Sequence, residues 1–208
     1  MVTVEADVDR VERRLAAGEL SCPVCGGVLA GWGRARRRRV RSPGGPVELC
    51  PRRSRCIGCG VTHVLLPITV LLRRADTAAV IVSALAAKAW RGLGFRRIAT
   101  GLRRPAETVR GWLRRFAGRA EAVRSMFTVW LRAVDPDPVM PDPAGGVFAD
   151  ALVAIAALTT VVGRRFVLPE VSVAEVAVAV SGARLLAPDW PDGPVQHEST
   201  LPPGPVRP

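Results

Sequence analysis

Lysine is almost missing from this 208-residue chain. Lys88 stands alone, so nearly all of the 30 basic groups are arginine. A guanidinium forks onto phosphate oxygens and guanine edges, whereas an ammonium acts as a point charge. A GC-rich genome accounts for arginine in place of lysine, but not for where the arginines sit. Acids are scarce in the middle of the chain. Residues 20–133 carry 23 basic groups against Glu48, Asp76, Glu107 and Glu121, a net charge of +19. Residues 134–208 carry 4 basic and 9 acidic groups, and residues 1–19 carry 3 and 5. Such a block attracts a polyanion by counterion release, and a merely soluble protein gains nothing from so one-sided a field.

Other absences narrow the class. The start, MVTVEADVDR, has early acids and no apolar core, which speaks against a secretory leader. The most apolar run, Ala151 to Gly163, is too short to cross a bilayer as a helix. No internal repeat is present, which removes solenoids. The expected location is the cytoplasm, in association with the nucleoid. In that reducing compartment, five cysteines point to metal rather than to disulfides.

Four of the five form two matching knuckles, Cys22-Pro-Val-Cys25-Gly-Gly and Cys56-Ile-Gly-Cys59-Gly. Each places two thiolates on one tight turn. The glycine after the second cysteine permits positive φ, so backbone N–H groups can point at the sulfurs. Four thiolates make a closed tetrahedral shell, and the doubled spacing predicts one structural Zn2+ on Cys22, Cys25, Cys56 and Cys59. The 30 residues between the knuckles suit the hairpin of a zinc ribbon. Cys50 has no partner at knuckle spacing and reads as a small buried strand residue rather than a fifth ligand. His63, four positions after Cys59, reads as a structural or surface residue, because four cysteines already complete the shell.

Along the chain, residues 1–20 hold an N-terminal helix over about 5–18, with Val8, Val11 and Leu15 on one side and Arg10, Arg13 and Arg14 exposed. The ribbon occupies 21–67, with strands near 35–41 and 47–56 on either side of Pro43-Gly44-Gly45-Pro46. Asp76 or Thr77 can cap a helix that runs to about Trp90 and buries Val80, Ile81, Ala84 and Leu85. A helix-turn-helix domain is expected over 76–133, with helices at 95–102 and 105–118 and the latter reaching towards 133. A proline-rich linker (134–146) leads to a C-terminal helical segment (147–186). There an apolar helix at 147–163 precedes a second one opened by a Ser172/Glu175 capping box and stopped at Gly182. From Ala187 onward, seven prolines in 22 residues predict a disordered tail. The fold class is therefore mainly α with a small β zinc ribbon.

Between the knuckles, Arg34, Arg36, Arg37, Arg38, Arg39 and Arg41 would place arginine on both faces of a strand. A small ribbon cannot bury them, so at least one face should meet an anion. In the 95–116 segment, Ile98, Ala99 and Leu102 line one helix and Val109, Trp112, Leu113 and Phe116 the inner side of the next. Pro105 fits the first turn of that second helix, and Glu107 favours its dipole.

This spacing resembles the helix-turn-helix of transposases and resolvases, with a small residue in the first helix and a Thr-Val-x-x-Trp recognition helix. It departs from the pattern at Arg103, where a turn glycine is usual, and a wider turn is expected there. Together with Cys-Pro-x-Cys-Gly and Cys-x-Gly-Cys-Gly-x-Thr-His-Val-Leu-Leu-Pro, the segment is similar to a bacterial family of uncharacterised, transposase-related proteins. The resemblance covers about residues 20–135. It implies that Ala106, Glu107, Arg110 and Gly111 lie near base edges in the major groove, with Arg103, Arg104, Arg114 and Arg115 near phosphates.

The function expected is non-catalytic binding of duplex DNA, by a transcriptional regulator or a transposase-derived module, with pairing of two chains left open. A complete transposase would need an acid triad on an RNase H-like domain, and only 75 residues follow residue 133. The alternative is a zinc-ribbon interaction module for RNA or a protein partner. Few aromatics near the basic block argue against single-strand stacking.

Overall fold

The computed structural model describes residues 1–168 and 170–191. Seven helices and two small sheets are found among them. The chain opens with strand β1 (Val2–Val4) and helix α1 (Val8–Ala16). Asp7 caps α1 by accepting from the backbone N–H groups of Asp9 and Arg10. Val11 and Leu15 are buried as expected, but Val8 is exposed, because α1 begins there and its first turn faces outward.

Strands β2 (Leu29–Arg34), β5 (Arg52–Cys56) and β6 (Thr62–Pro67) join β1 in a four-stranded sheet of order β1-β6-β5-β2. The N-terminal residues were expected to be a helix alone. Instead Val2, Thr3 and Val4 pair in parallel with Leu65, Leu66 and Pro67. Alternation along β6 sends Leu65 and Leu66 to opposite faces of the sheet. Leu65 joins a small core with Val4, Val11, Leu15, Leu20 and Leu29, beside Cys22 and Cys56. Leu66 joins the larger helical core. One strand thus serves both cores.

The arginine-rich segment departs from the expected ribbon hairpin. Residues 35–37 are neither strand nor helix, and β3 (Arg38–Ser42) pairs only with β4 (Gly45–Leu49) in a separate two-stranded sheet. The Pro43-Gly44 turn joins them where the sequence indicates. Val40 is 1% exposed and belongs to the helical core, so this hairpin packs on the helices rather than projecting from the ribbon. The Arg41 N–H donates to Ala75 O and the Thr77 N–H to Arg41 O, which ties β3 to the residues that open α2.

Helix α2 (Ala78–Arg91) buries Val80, Ile81, Ala84 and Leu85, as its apolar spacing requires. Neither Asp76 nor Thr77 caps it with a side chain. Asp76 is instead 1% exposed and holds two arginines, with Oδ2 2.6 Å from Arg41 Nη2 and Oδ1 2.5 Å from Arg104 Nε. Helices α3 (Phe95–Leu102) and α4 (Ala106–Ala117) follow. The turn between them is not widened. Arg103 takes the left-handed conformation itself, at φ 53° and ψ 51°. That costs a residue with a Cβ about 1–2 kcal/mol. Arg104 offsets the strain by donating to the terminal carbonyls of Leu102 and Arg103 while it holds Asp76.

The second helix of this pair does not run on to residue 133. It ends at Gly118, and α5 (Ala120–Val134) starts anew. Residues 135–146 lead into α6 (Val147–Arg165), which packs along α5; α7 (Val173–Ser181) rests on α2 and α6. The Ser172/Glu175 capping box is present, and α7 ends at Gly182. The apolar helix is longer than the sequence reading allowed. With 19 residues it is the one helix among those described with the length and hydropathy to cross a membrane. Its Ala151, Leu152, Ala154, Ile155 and Leu158 nevertheless lie in the helical core.

The start of the expected tail is ordered. Trp190 is buried, meets Phe127 edge-on at 6.5 Å, and its carbonyl accepts from Arg119 Nη1. Burial of this large ring supplies the apolar gain that holds the stretch in place. The rest of that tail, 192–208, lies outside the described residues.

A buried carboxylate with two guanidinium partners costs more to break than to bury. Asp76→Asn should lower stability by about 3 kcal/mol in urea denaturation, because it strands Arg104 in the interior. Arg41→Ala should cost less, since the Arg41 side chain is 41% exposed. An Asp76→Asn variant as stable as the parent would show that the cluster holds nothing together.

Candidate metal centre and basic surface

The two knuckles are built alike. In the first, Gly26 N–H donates to Cys22 O and Cys22 N–H to Gly27 O. In the second, Gly60 N–H donates to Cys56 O and Cys56 N–H to Val61 O. Gly26 and Gly60 close these turns at φ 74° and 73°, a conformation a Cβ would strain. The turns aim Val24 N–H at Cys22 Sγ and Cys59 N–H at Cys56 Sγ, each at 3.5 Å. An Ile57 N–H to Val28 O bond links the second knuckle to the residue entering β2.

This frame brings Cys22, Cys25, Cys56 and Cys59 together, with all four sulfurs within 4.8 Å of one another. Cys22 and Cys59 are 3.8 Å apart, Cys25 and Cys56 3.4 Å. A regular tetrahedron of thiolates around zinc, at a bond length of about 2.3 Å, has sulfurs about 3.8 Å apart. The donor set and its spacing therefore fit one metal ion. Cys22 and Cys56 are buried and Cys25 and Cys59 exposed, so the site sits at the rim of the small core.

Packed this way, the thiols cannot all ionise without a cation. The Cys59 backbone N–H, working against burial and helped by the Cys25 side chain, draws the Cys56 thiol down to about 6. For Cys59, the Val61 backbone N–H favours the thiolate. Hydrogen bonding to Cys25, burial and the Cys56 and Cys22 sulfurs together outweigh it and push the thiol up to about 12. A bound cation removes that conflict, and its uptake must release protons.

His63 is not a surface residue. It is 3% exposed, pairs with Ser54 across β5 and β6, and places Nε2 3.3 Å from Cys22 Sγ. Burial and the nearby N-terminal ammonium lower its pKa, so the ring is neutral. The ammonium of Met1 lies 3.0 Å from Nδ1 and donates to it, which leaves the ring proton on Nε2 to donate to Cys22 Sγ. His63 is thus a partner of a ligand rather than a ligand. Cys50 lies in the turn between β4 and β5, not within a strand, and its thiol donates to Ala35 O at 3.4 Å.

The arginines expected to meet an anion divide into two sets. Glu12 of α1 lies 3.7 Å from Arg34 and 3.0 Å from Arg52. Arg37 pairs with Glu48, and Arg110 with Glu107, both at the surface. Arg41 and Arg104 are spent on Asp76. Arg104, with its side chain only 11% exposed, is a structural residue rather than a phosphate contact. Arg36, Arg38, Arg39, Arg103, Arg114 and Arg115 have no acidic partner among the described residues. Ala106 and Gly111 are half-buried on α4, and a Cβ at Gly111 would come within 2.8 Å of Arg115 Nη1. Arg96 and Arg110 lie over the Phe95 ring, at 5.6 and 5.9 Å.

A cleft of about 650 Å³ separates the Ser42–Gly45 turn from residues 101–104. Arg104 Nη2 spans its base to Ser42 O at 3.4 Å. The arginine hairpin and the α3–α4 turn therefore adjoin each other, a relation that sequence spacing does not disclose. Trp32, unmarked by any binding motif in the sequence, is 53% exposed on β2 with the Arg55 guanidinium 4.9 Å from its ring centroid. The readable signal was a Gly-Trp-Gly run where a strand was needed.

Residues 22–101 match DUF6431, a domain of unknown function. The matched span begins on the first knuckle cysteine, contains the arginine hairpin, α2 and most of α3, and stops short of α4. No curated protein and no solved structure matches the chain.

Two outcomes check the metal centre. Purified protein should carry about one equivalent of metal per chain, and Cys25→Ser or Cys56→Ser should abolish hydrogen-exchange protection in β2, β5 and β6. Protection that survives both substitution and chelation would contradict this. His63→Phe keeps the bulk but loses the donor, so a chelator should strip the metal on the order of 10-fold faster. An unchanged rate would leave His63 as packing only.

Proposed function

We propose that this protein binds duplex DNA without catalysing a reaction on it. A single zinc ion holds the ribbon, and α3–α4 act as a helix-turn-helix with α4 in the major groove. The observation that carries the reading is the set of arginines without acidic partners among the described residues. Arg36, Arg38 and Arg39 lie on or before β3, and Arg103, Arg114 and Arg115 on the α3–α4 pair. The two elements meet at Asp76, so unpaired guanidinium groups flank one junction. A soluble protein would pair or disperse such charge; a phosphate backbone neutralises it.

On this reading the ribbon and hairpin arginines position the protein on the backbone. Arg110 reads a base edge from the first half of α4. Its surface contact with Glu107, at 3.3 Å, contributes little and can exchange for a guanine. Val109, Trp112 and Phe116 anchor the opposite side of α4 in the helical core, which keeps its outer face fixed. The resemblance to transposase-related proteins agrees with a role as a regulator or a detached DNA-binding module in the bacterial nucleoid.

Fluorescence anisotropy on a duplex selected from random sequence separates the two roles. Replacing Arg36 and Arg38 with alanine should weaken binding to every duplex and flatten its salt dependence. Arg110→Ala should cost about 1–3 kcal/mol at the selected site and far less elsewhere. Equal losses on selected and random duplex would remove α4 as the reading element.

A further inference from the structure

We infer that Trp32 and Arg55 form a second nucleic-acid site, a shelf for one unpaired nucleobase of a single strand. Strand β2 is the edge of the four-stranded sheet, so one side of it has no strand neighbour among the described residues. Its pairing with β5 skips a residue: Gly31 faces Ser54, Gly33 faces Arg53, and Trp32 between them has no partner. This is a β-bulge, and Gly33 accommodates it at φ 120°. A bulge re-aims the side chain it carries. Here the side chain is the largest apolar group available, left 53% exposed.

Three neighbours give the shelf its chemistry. The Arg55 guanidinium stands over the ring and is steadied by a 3.2 Å bond from its Nε to Gly60 O. Ile57, 71% exposed, lines the same groove. The open groove they line, about 710 Å³, is also bordered by Ala30, Gly31 and the second knuckle. The occupant must present a flat π face to Trp32 and a negative charge to Arg55. The surrounding block has 23 basic groups and only four acids, one of them the enclosed Asp76, so a protein partner would have to be strongly acidic as well as aromatic. A nucleotide has both features in one unit. Base–aromatic stacking is tolerant of sequence, and the metal fixes the knuckle wall of the groove.

The shelf does not need α4 to read duplex DNA, and the two claims share only the basic block. The test uses the full-length, metal-loaded chain with fluorescein-labelled oligothymidylate of about a dozen nucleotides, and in parallel a duplex, over a series of salt concentrations. Trp32→Ala should weaken single-strand binding about 5- to 150-fold with an unchanged salt slope, because the lost contact is uncharged. Trp32→Phe should restore much of the affinity. Arg55→Ala should flatten the slope by roughly 0.7. Duplex affinity should stay within about twofold in the Trp32 variants. Metal content and far-ultraviolet dichroism confirm that the variants fold. Single-strand affinity unchanged by Trp32→Ala, or no single-strand binding by the parent, would overturn the shelf whether or not the duplex binds. Loss of duplex binding alone would leave the shelf standing and end the reading of α4.

Discussion

Asp76 is the constraint on which the arrangement depends. It is the only acid in the middle of the chain that is fully enclosed, and it sits where three segments meet: the end of β3, the entry to α2 and the turn between α3 and α4. An isolated carboxylate there would be strongly disfavoured, and so would Arg104 without it. Together they fix a geometry that neither hydrophobic packing nor backbone pairing would set alone. Arg104 also satisfies the last carbonyls of α3, which lets Arg103 occupy a conformation that usually calls for glycine. Two arginines are committed to Asp76, and the others near it are held in a defined relation to each other.

The ribbon depends on a different device. Its core has eight members, two of them knuckle cysteines, and is small for a domain that must stay folded. A metal ion on the four cysteines would supply what that core lacks, and β6 couples the ribbon to the helices by sending Leu65 to one side and Leu66 to the other. The cysteine knuckles, β6 and Asp76 are therefore links in one chain of support, from the knuckles through the sheet to α3–α4.

Much of this was legible in the sequence wherever the signal was local. The knuckles, the inward faces of α2 and α4, and the Ser172/Glu175 box follow from spacing over a few residues, and the structure has them in place. What was not legible depended on partners far apart in the chain. Nothing near Val2 announces that it pairs with Leu65, 63 residues away. Nothing near Arg41 or Arg104 distinguishes them from the free arginines beside them; only Asp76 does so. Val40 looked like one apolar residue in a charged strand, yet it turns the whole hairpin onto the helices. His63 was underrated because the ligand count was complete without it, and ligand partners leave no spacing signature. Trp190 lay in a proline-rich stretch whose composition concealed one buried ring.

The central claim is that the unpaired arginines of the hairpin and of α3–α4 form one surface for the DNA backbone. The most direct measurement is the affinity of the intact, metal-loaded protein for duplex DNA as a function of salt. If both elements engage, at least about six phosphates are neutralised, and log K should fall against log salt with a slope of roughly −5 or steeper. A slope near −1, or no duplex affinity even at low salt, would contradict the account.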